Sequence, residues 1–223
     1  MNTSSFWFQG EPVDPADPGT PIGQSLRFRG GGTSPTSNTY LVSTLTPNTT
    51  FTMSVWLKLD VFEMYSAYMG DYSSGSQFIM SGAGNIANCL DLVLSNTNVS
   101  TGTIYLRDPS AWYHFVINSD AATNRSKVYM NGVDITTGTP AAGSLWVQNT
   151  CYIGNMGPGG GGWTFRGYAA QQYYIDGQAL LPTAFGRTNN VGVWVPVDYD
   201  GDADDYGANG FHLTFEDPDD IGG

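Results

Sequence analysis

The chain has 223 residues, enough for one large β-sandwich or two small domains, and 40% of them are hydrophobic, which supports a packed core and excludes general disorder. Only 8 Lys and Arg stand against 20 Asp and Glu, a formal charge of -12 that repels phosphate backbones and so excludes nucleic acid as a partner. No apolar run approaches the roughly 18 residues needed to cross a membrane, and aromatics at 13% with 29 glycines and 12 prolines describe short strands joined by tight turns.

The first five residues, Met1 to Ser5, lack both a basic and an apolar region, so they read as no signal peptide. Residues 1–22 form an expected extended arm. Phe6, Trp7 and Phe8 make an aromatic triplet, followed by Pro12, Pro15, Pro18 and Pro21, which stiffen the chain and remove backbone donors. Such an aromatic tip either folds back as an edge strand or docks in a pocket on a partner. Residues 23–217 are the expected globular domain, undivided by any linker-like stretch, and 218–223 an acidic tail.

Within the domain, residues 51–59 (FTMSVWLKL) alternate with a period of two, placing Phe51, Met53, Val55, Leu57 and Leu59 on one face. Residues 90–94, 104–106, 127–130 and 211–215 are further short runs, and 112–118 (WYHFVIN) is apolar on both faces, as in a central strand. Asn131-Gly132 is the strongest hairpin signal and Asp176-Gly177 a second; 178–185 suggests a helical turn. The Gly-rich stretches at 30–32 and 157–162 read as flexible loops, since no Gly-Lys-Ser/Thr follows either. Cys89 and Cys151 adjoin apolar runs and read as buried free thiols, with one bridge left open. The pattern predicts an all-β fold, a two-sheet antiparallel β-sandwich.

The order of these segments carries a resemblance. SLRF at 25–28, FTMSVWLKL, WYHFVIN, KVYMNGVDI at 127–135, YIG at 152–154 and FRGYAAQQYYIDGQAL at 165–180 together resemble the laminin-G-like jelly roll of the concanavalin A-like lectin/glucanase superfamily. The closing block (YIDGQAL at 174–180, VWVP at 193–196, YGANGFHLTFED at 206–217) is similar to virion structural proteins of tailed phages, cyanophages especially. At 168–172 the chain departs from the usual acidic-aliphatic version of that strand. The resemblance implies a jelly roll that binds rather than catalyses.

The residues agree on chemistry. Glycoside hydrolysis needs two carboxyl groups flanking one bond, and the three glutamates, Glu11, Glu63 and Glu216, are far apart and outside any such motif. His114 and His212 lie inside strand patterns and are too few for a His-rich metal site. Asp198, Asp200, Asp202, Asp204 and Asp205 crowd hard oxygen ligands together, either as a solvated acidic edge or as a Ca²⁺ site, although the spacing is not that of an EF-hand. Tyr72, Trp146, Asn155 and Trp163 are candidate loop residues for a sugar. No other cofactor is expected. The expected function is a capsid decoration or cement protein of a tailed-phage virion, made in the host cytoplasm. It would be trimeric and bound to the major capsid protein or other virion proteins through Phe6, Trp7 and Phe8. The alternative is a carbohydrate-binding adhesin recognising a cell-surface glycan from a tail or head fibre.

Overall fold

A strand with apolar side chains at every second place forms the middle of the molecule, and the other strands assemble around it. The computed structural model describes residues 22–30, 40–60, 66–71, 75–81, 89–145, 150–157 and 163–216. The strands in chain order are β1 (Leu26–Arg29), β2 (Leu41–Thr44), β3 (Phe51–Leu59), β4 (Ser66–Asp71), β5 (Ser76–Ser81), β6 (Cys89–Leu94), β7 (Thr97–Tyr105) and β8 (Tyr113–Asp120). They continue with β9 (Arg125–Met130), β10 (Val133–Asp134), β11 (Thr150–Ile153), β12 (Arg166–Asp176), β13 (Gly186–Thr188), β14 (Trp194–Pro196) and β15 (Phe211–Leu213).

All pairings are antiparallel. A seven-stranded sheet runs β1-β12-β3-β8-β9-β10, with β15 joining β12 beyond β1; a six-stranded sheet runs β2-β11-β4-β5-β6-β7. Phe51, Met53, Val55, Leu57 and Leu59 are buried between the two sheets, as their alternation predicts. They pack with Phe28, Phe78, Phe115 and Phe165, and each such side chain contributes ~1.5–3 kcal/mol by leaving water. Phe28, Tyr68 and Phe165 meet edge to face, at 5.1 to 6.1 Å between ring centroids. This is the jelly-roll sandwich expected from the sequence. The proposed arm falls outside the described residues except for Ile22, and so does the tail at 218–223.

The opposite face of β3 is covered too. Thr52, Ser54 and Trp56 are buried, although the alternation alone would leave them in water. The cover is the chain from Gly177 to Tyr206, which folds over the seven-stranded sheet as an extra layer before β15 returns to the sheet itself. Phe185, Leu180, Tyr199 and Tyr206 pack there on Val116, Tyr129, Tyr173 and Ile175. Asp176-Gly177 accordingly ends β12 but makes no hairpin, which corrects that expectation. Gly177 takes a positive φ of 84° and donates to the Thr50 carbonyl, and the chain turns outward onto Thr52, whose hydroxyl donates to the Gln178 carbonyl and accepts from the Leu180 N–H. The helical turn expected nearby is a short 3-10 segment, Pro182–Ala184. Asn131-Gly132 does form its hairpin: both residues have positive φ, 48° and 80°, as a type I′ turn requires.

The departure at 168–172 has a structural meaning. The register of β12 against β3 slips between Ala170 and Tyr173, so Gln171 and Gln172 oppose a single residue in a β-bulge, with Gln171 at φ 46°. The bulge sends the two amides to opposite sides. Gln172 enters the core, where its carbonyl accepts from the buried Tyr68 hydroxyl and its amide donates to the Met69 sulfur at 3.6 Å. Gln171 faces out and bonds His212 Nε2 at 2.8 Å. Cys151 is a buried free thiol, raised in pKa by burial. Among the described residues no helix is long and apolar enough to cross a membrane.

Candidate functional site

His114 and Ser54 invite a catalytic reading, and the hydrogen bonds decide it. Both are fully buried on neighbouring strands, with Ser54 Oγ 2.8 Å from His114 Nε2. The other ring nitrogen, Nδ1, lies 3.0 Å from the Trp194 indole Nε1. An indole N–H only donates, so Nδ1 must accept, and the single ring proton sits on Nε2 and points at the serine. A base that activates a serine needs the reverse arrangement. Burial holds the imidazole neutral, its pKa pushed down to about 3. Trp56 stacks on one face of the ring at 4.7 Å, and Trp194 lies nearly coplanar beside it with centroids 6.0 Å apart, linking the outer layer to the sheet.

The acidic run is not drawn into a metal cage: among the described residues no group of three or more His, Cys, Asp or Glu is placed to hold an ion. Asp202 and Asp205 instead cap the short 3-10 segment Ala203–Tyr206 reciprocally, with Asp205 accepting the Asp202 N–H at 2.9 Å. Asp200, Asp202, Asp204 and Asp205 are exposed to water. The Ca²⁺ expectation for Asp198, Asp200, Asp202, Asp204 and Asp205 therefore gains no converging ligand set. Of the three glutamates only Glu216 is described, and it is exposed.

The sugar candidates divide. Tyr72 and Trp146 lie outside the described residues, as do Phe6, Trp7 and Phe8. Asn155 and Trp163 are brought together at the neck of the Gly-rich loop, where Asn155 bridges Thr164 in antiparallel fashion. Asn155 is buried and accepts the Gly157 N–H at 2.6 Å, so its side chain shapes the loop rather than facing a ligand. Trp163 is half-buried over Ala67 and Met156, a small cluster separate from the sandwich core and hence on the outer face of the six-stranded sheet.

Two residues missed from the sequence extend this surface. Cys151 and Ile153 of β11 face the core, so alternation turns Tyr152 outward; Leu41 does the same for Tyr40 and Val42 beside it. Tyr40 and Tyr152 pair at 6.1 Å with their rings tilted by 60°, and Tyr40 is 42% and Val42 54% exposed. Tyr152 lies against Gly157, where a Cβ would meet its ring at 2.4 Å, so the loop glycine makes room for the tyrosine. The alternation of TCYI carried the signal, but Tyr152 reads equally well as part of an apolar run. The result is an open aromatic surface at the β2 edge, on the face the outer layer leaves alone.

A groove of about 540 Å³ between β9 and the following segment is lined by Arg125, Lys127, Asp134 and Thr136. Lys127 and Asp134 pair within it at 2.7 Å, so most of its charge is already satisfied.

Comparison with known proteins places the fold. The solved structures similar to this one include a protein of Bacteroides ovatus assigned to carbohydrate binding, with TM-score 0.53 and 17% identity. That likeness covers 70% of this chain, which spans only 44% of that protein's length. A heptameric SAP-like pentraxin of Limulus polyphemus matches with TM-score 0.50 and 18% identity, over 70% of this chain and 76% of its own. Domain 4 of the extracellular arabinanase AbnA of Geobacillus stearothermophilus, solved with arabinotriose, matches with TM-score 0.47 and 19% identity, over 62% and 65%. No curated protein matches the chain. The laminin-G-like model of the concanavalin A-like lectin/glucanases superfamily matches residues 30–180, stopping where the outer layer begins. With the sandwich, its strand order and this match over most of its length, the chain belongs to the concanavalin A-like lectin/glucanase superfamily.

Proposed function

We propose that this domain is a non-catalytic carbohydrate-binding module, and that a glycan lies across Tyr40, Tyr152 and Trp163 on the outer face of the six-stranded sheet. The observation that carries the reading is the Tyr40–Tyr152 pair, Tyr40 exposed and Tyr152 half-buried, on the sheet face not covered by the C-terminal layer. Sugar rings present apolar C–H faces that stack on aromatic rings, and half-exposed aromatics are already partly desolvated and pre-oriented for that contact. Of the two activities in the superfamily's description, binding suits these residues better than hydrolysis, because glycoside hydrolysis needs two carboxyl groups flanking one bond and the three glutamates lie far apart in the sequence.

Screening the full chain on a glycan array and measuring the hits by calorimetry tests this. Tyr40→Ala and Trp163→Ala should each weaken a hit by roughly tenfold, a loss of ~1.4 kcal/mol, while the unfolding midpoint changes little because Tyr40 is exposed. An array without hits, or variants that bind as the unaltered chain does, would sink the reading.

A second proposal concerns where the module works. The closing block at 174–217 resembles tailed-phage virion proteins, and most of it forms the outer layer beyond the superfamily match. This supports a decoration or cement protein held on the capsid, as a trimer, by the arm at 1–22. Deleting 1–22 should then abolish attachment to particles while the remaining domain keeps its cooperative unfolding. Unchanged occupancy on particles would exclude anchoring by Phe6, Trp7 and Phe8 and leave a fibre location.

A further inference from the structure

The few basic residues of this acidic chain are unevenly placed. Phe28 sits in the core between Arg27 and Arg29, so both arginines project from the outer face of the seven-stranded sheet, and Leu57 and Leu59 send Lys58 the same way. The register then builds two rows across β1, β12 and β3. Arg29 stands opposite Arg166, and Arg27 opposite Tyr168, which is itself opposite Lys58. Asp60, just past β3, is the one acid in these rows among the described residues; it holds Arg166 at 3.1 Å and Arg27 at 3.7 Å. The Arg27 guanidinium also lies 5.6 Å over the Tyr168 ring.

Four of the chain's 8 cations thus occupy one corner, where they outnumber the acids beside them among the described residues, Asp60 and Asp108, on a molecule of net charge -12. Arg29 and Arg166 stand directly opposite each other, and Asp60 offsets the Arg166 side of that like-charge pair. The outer layer packs on the later part of β12, from Tyr173 onward, and leaves Arg27 and Arg29 exposed.

We propose that this corner binds a linear acidic saccharide carrying carboxylate or sulfate groups, at a place distinct from the aromatic surface on the other sheet. The proposal rests on the glycan-binding reading for its ligand class and on the charge rows for its position. Strand spacing makes the strip about 10 Å wide, close to two sugar rings in a row. Stacking on Tyr168 and pairing with Asp60 pre-order the guanidinium groups, whose planar forks match carboxylate and sulfate oxygens in pairs. A duplex nucleic acid fits poorly, because its wider footprint would bring phosphates against the acidic remainder of the surface.

The test uses the full chain and calorimetry with three probes: oligogalacturonate, a sulfated galactan oligosaccharide and a neutral dextran oligosaccharide. At least one acidic probe should bind and dextran should not bind at this corner. Raising salt to about 0.5 M should weaken acidic binding by about tenfold or more. Arg27→Gln with Arg29→Gln should also weaken it about tenfold, Arg125→Gln should leave it unchanged, and so should Tyr40→Ala with Trp163→Ala. Any neutral glycan found on the array should respond the opposite way to the two pairs of variants, which separates failure here from failure of the aromatic-surface reading. Three results overturn the proposal: no acidic saccharide binds, duplex DNA binds as tightly, or the arginine variants abolish only a concentration-dependent self-association. The last would mean that the corner receives the acidic 198–205 stretch of a second copy.

Discussion

Replacing Trp194 with alanine is expected to destabilise the domain by ~3 kcal/mol, the lower end of the range for losing a large packed aromatic, because this indole is half-exposed. The ring does three things at once. It lies nearly coplanar beside His114 with centroids 6.0 Å apart, donates its N–H to His114 Nδ1 at 3.0 Å, and fills the space over Gly132 and Gly186, where any Cβ would stand 2.5 and 2.7 Å from the indole. Alanine removes the packing and leaves a buried ring nitrogen without its donor. Trp194→Phe keeps most of the packing but loses the hydrogen bond, and should cost ~1 kcal/mol. Denaturant unfolding of both variants measures the difference. An alanine variant that loses less than the phenylalanine variant would mean that the packing of this side chain does not hold the outer layer to the sheet.

Acid should weaken the fold through the same histidine. Its folded pKa, about 3, lies below the ordinary value of 6.5, so between those limits the unfolded chain binds the proton that the folded ring refuses. Stability from this group is complete above pH 6.5 and falls as pH drops toward 3, by ~2 kcal/mol at pH 5. Ser54, Trp56, Trp194 and the Asn131 turn surround the imidazole, and the cause of the shift is desolvation. His212 is lowered by burial as well and acts in the same direction.

Asp91 acts the other way. It is buried on the outer face of the six-stranded sheet, with Oδ1 lacking a partner among the described residues, and its pKa rises from 3.8 to about 6. Its stabilising contribution is complete below pH 3.8 and is lost as pH rises through 6, so acidification partly offsets the histidine. Two variants separate the terms. His114→Gln offers Trp194 an acceptor and Ser54 a donor without titrating, so relative to the unaltered chain it should gain ~2 kcal/mol between pH 7 and pH 5. Asp91→Asn should be more stable than the unaltered chain at pH 7 and lose that advantage by pH 4. Parallel pH profiles for all three proteins would refute both assignments.

Much of the fold was legible because a strand records its own burial. The alternation in 51–59 names the core face of β3 residue by residue, and Asn131-Gly132 specifies a hairpin because few other pairs tolerate two positive φ angles. The same period, once Phe28 is known to be in the core, puts Arg27 and Arg29 on one face. It could not say that Arg166 and Lys58 would stand beside them. The two glutamines that break the usual pattern of β12 were visible as an anomaly, but only the register slip explains it, by sending one amide to Tyr68 and the other to His212. The candidate sugar residues were less legible, since an exposed loop aromatic and a core lid look alike in sequence. Asn155 turned inward to hold its loop, and Trp163 stayed at the surface.

By itself, then, the sequence determined the sandwich, the core face of β3, the Asn131-Gly132 turn and the lack of a glutamate pair, because each depends on local periodicity, on turn geometry or on residue inventory. The tertiary structure decided which sheet face stays open, which aromatics share it, that His114 is a neutral structural ring, and that four cations meet at one corner. Those outcomes depend on strand order and register, set by residues more than a hundred positions apart, such as Tyr68 with Gln172 at a separation of 104. A chain read in one dimension carries no direct record of that pairing.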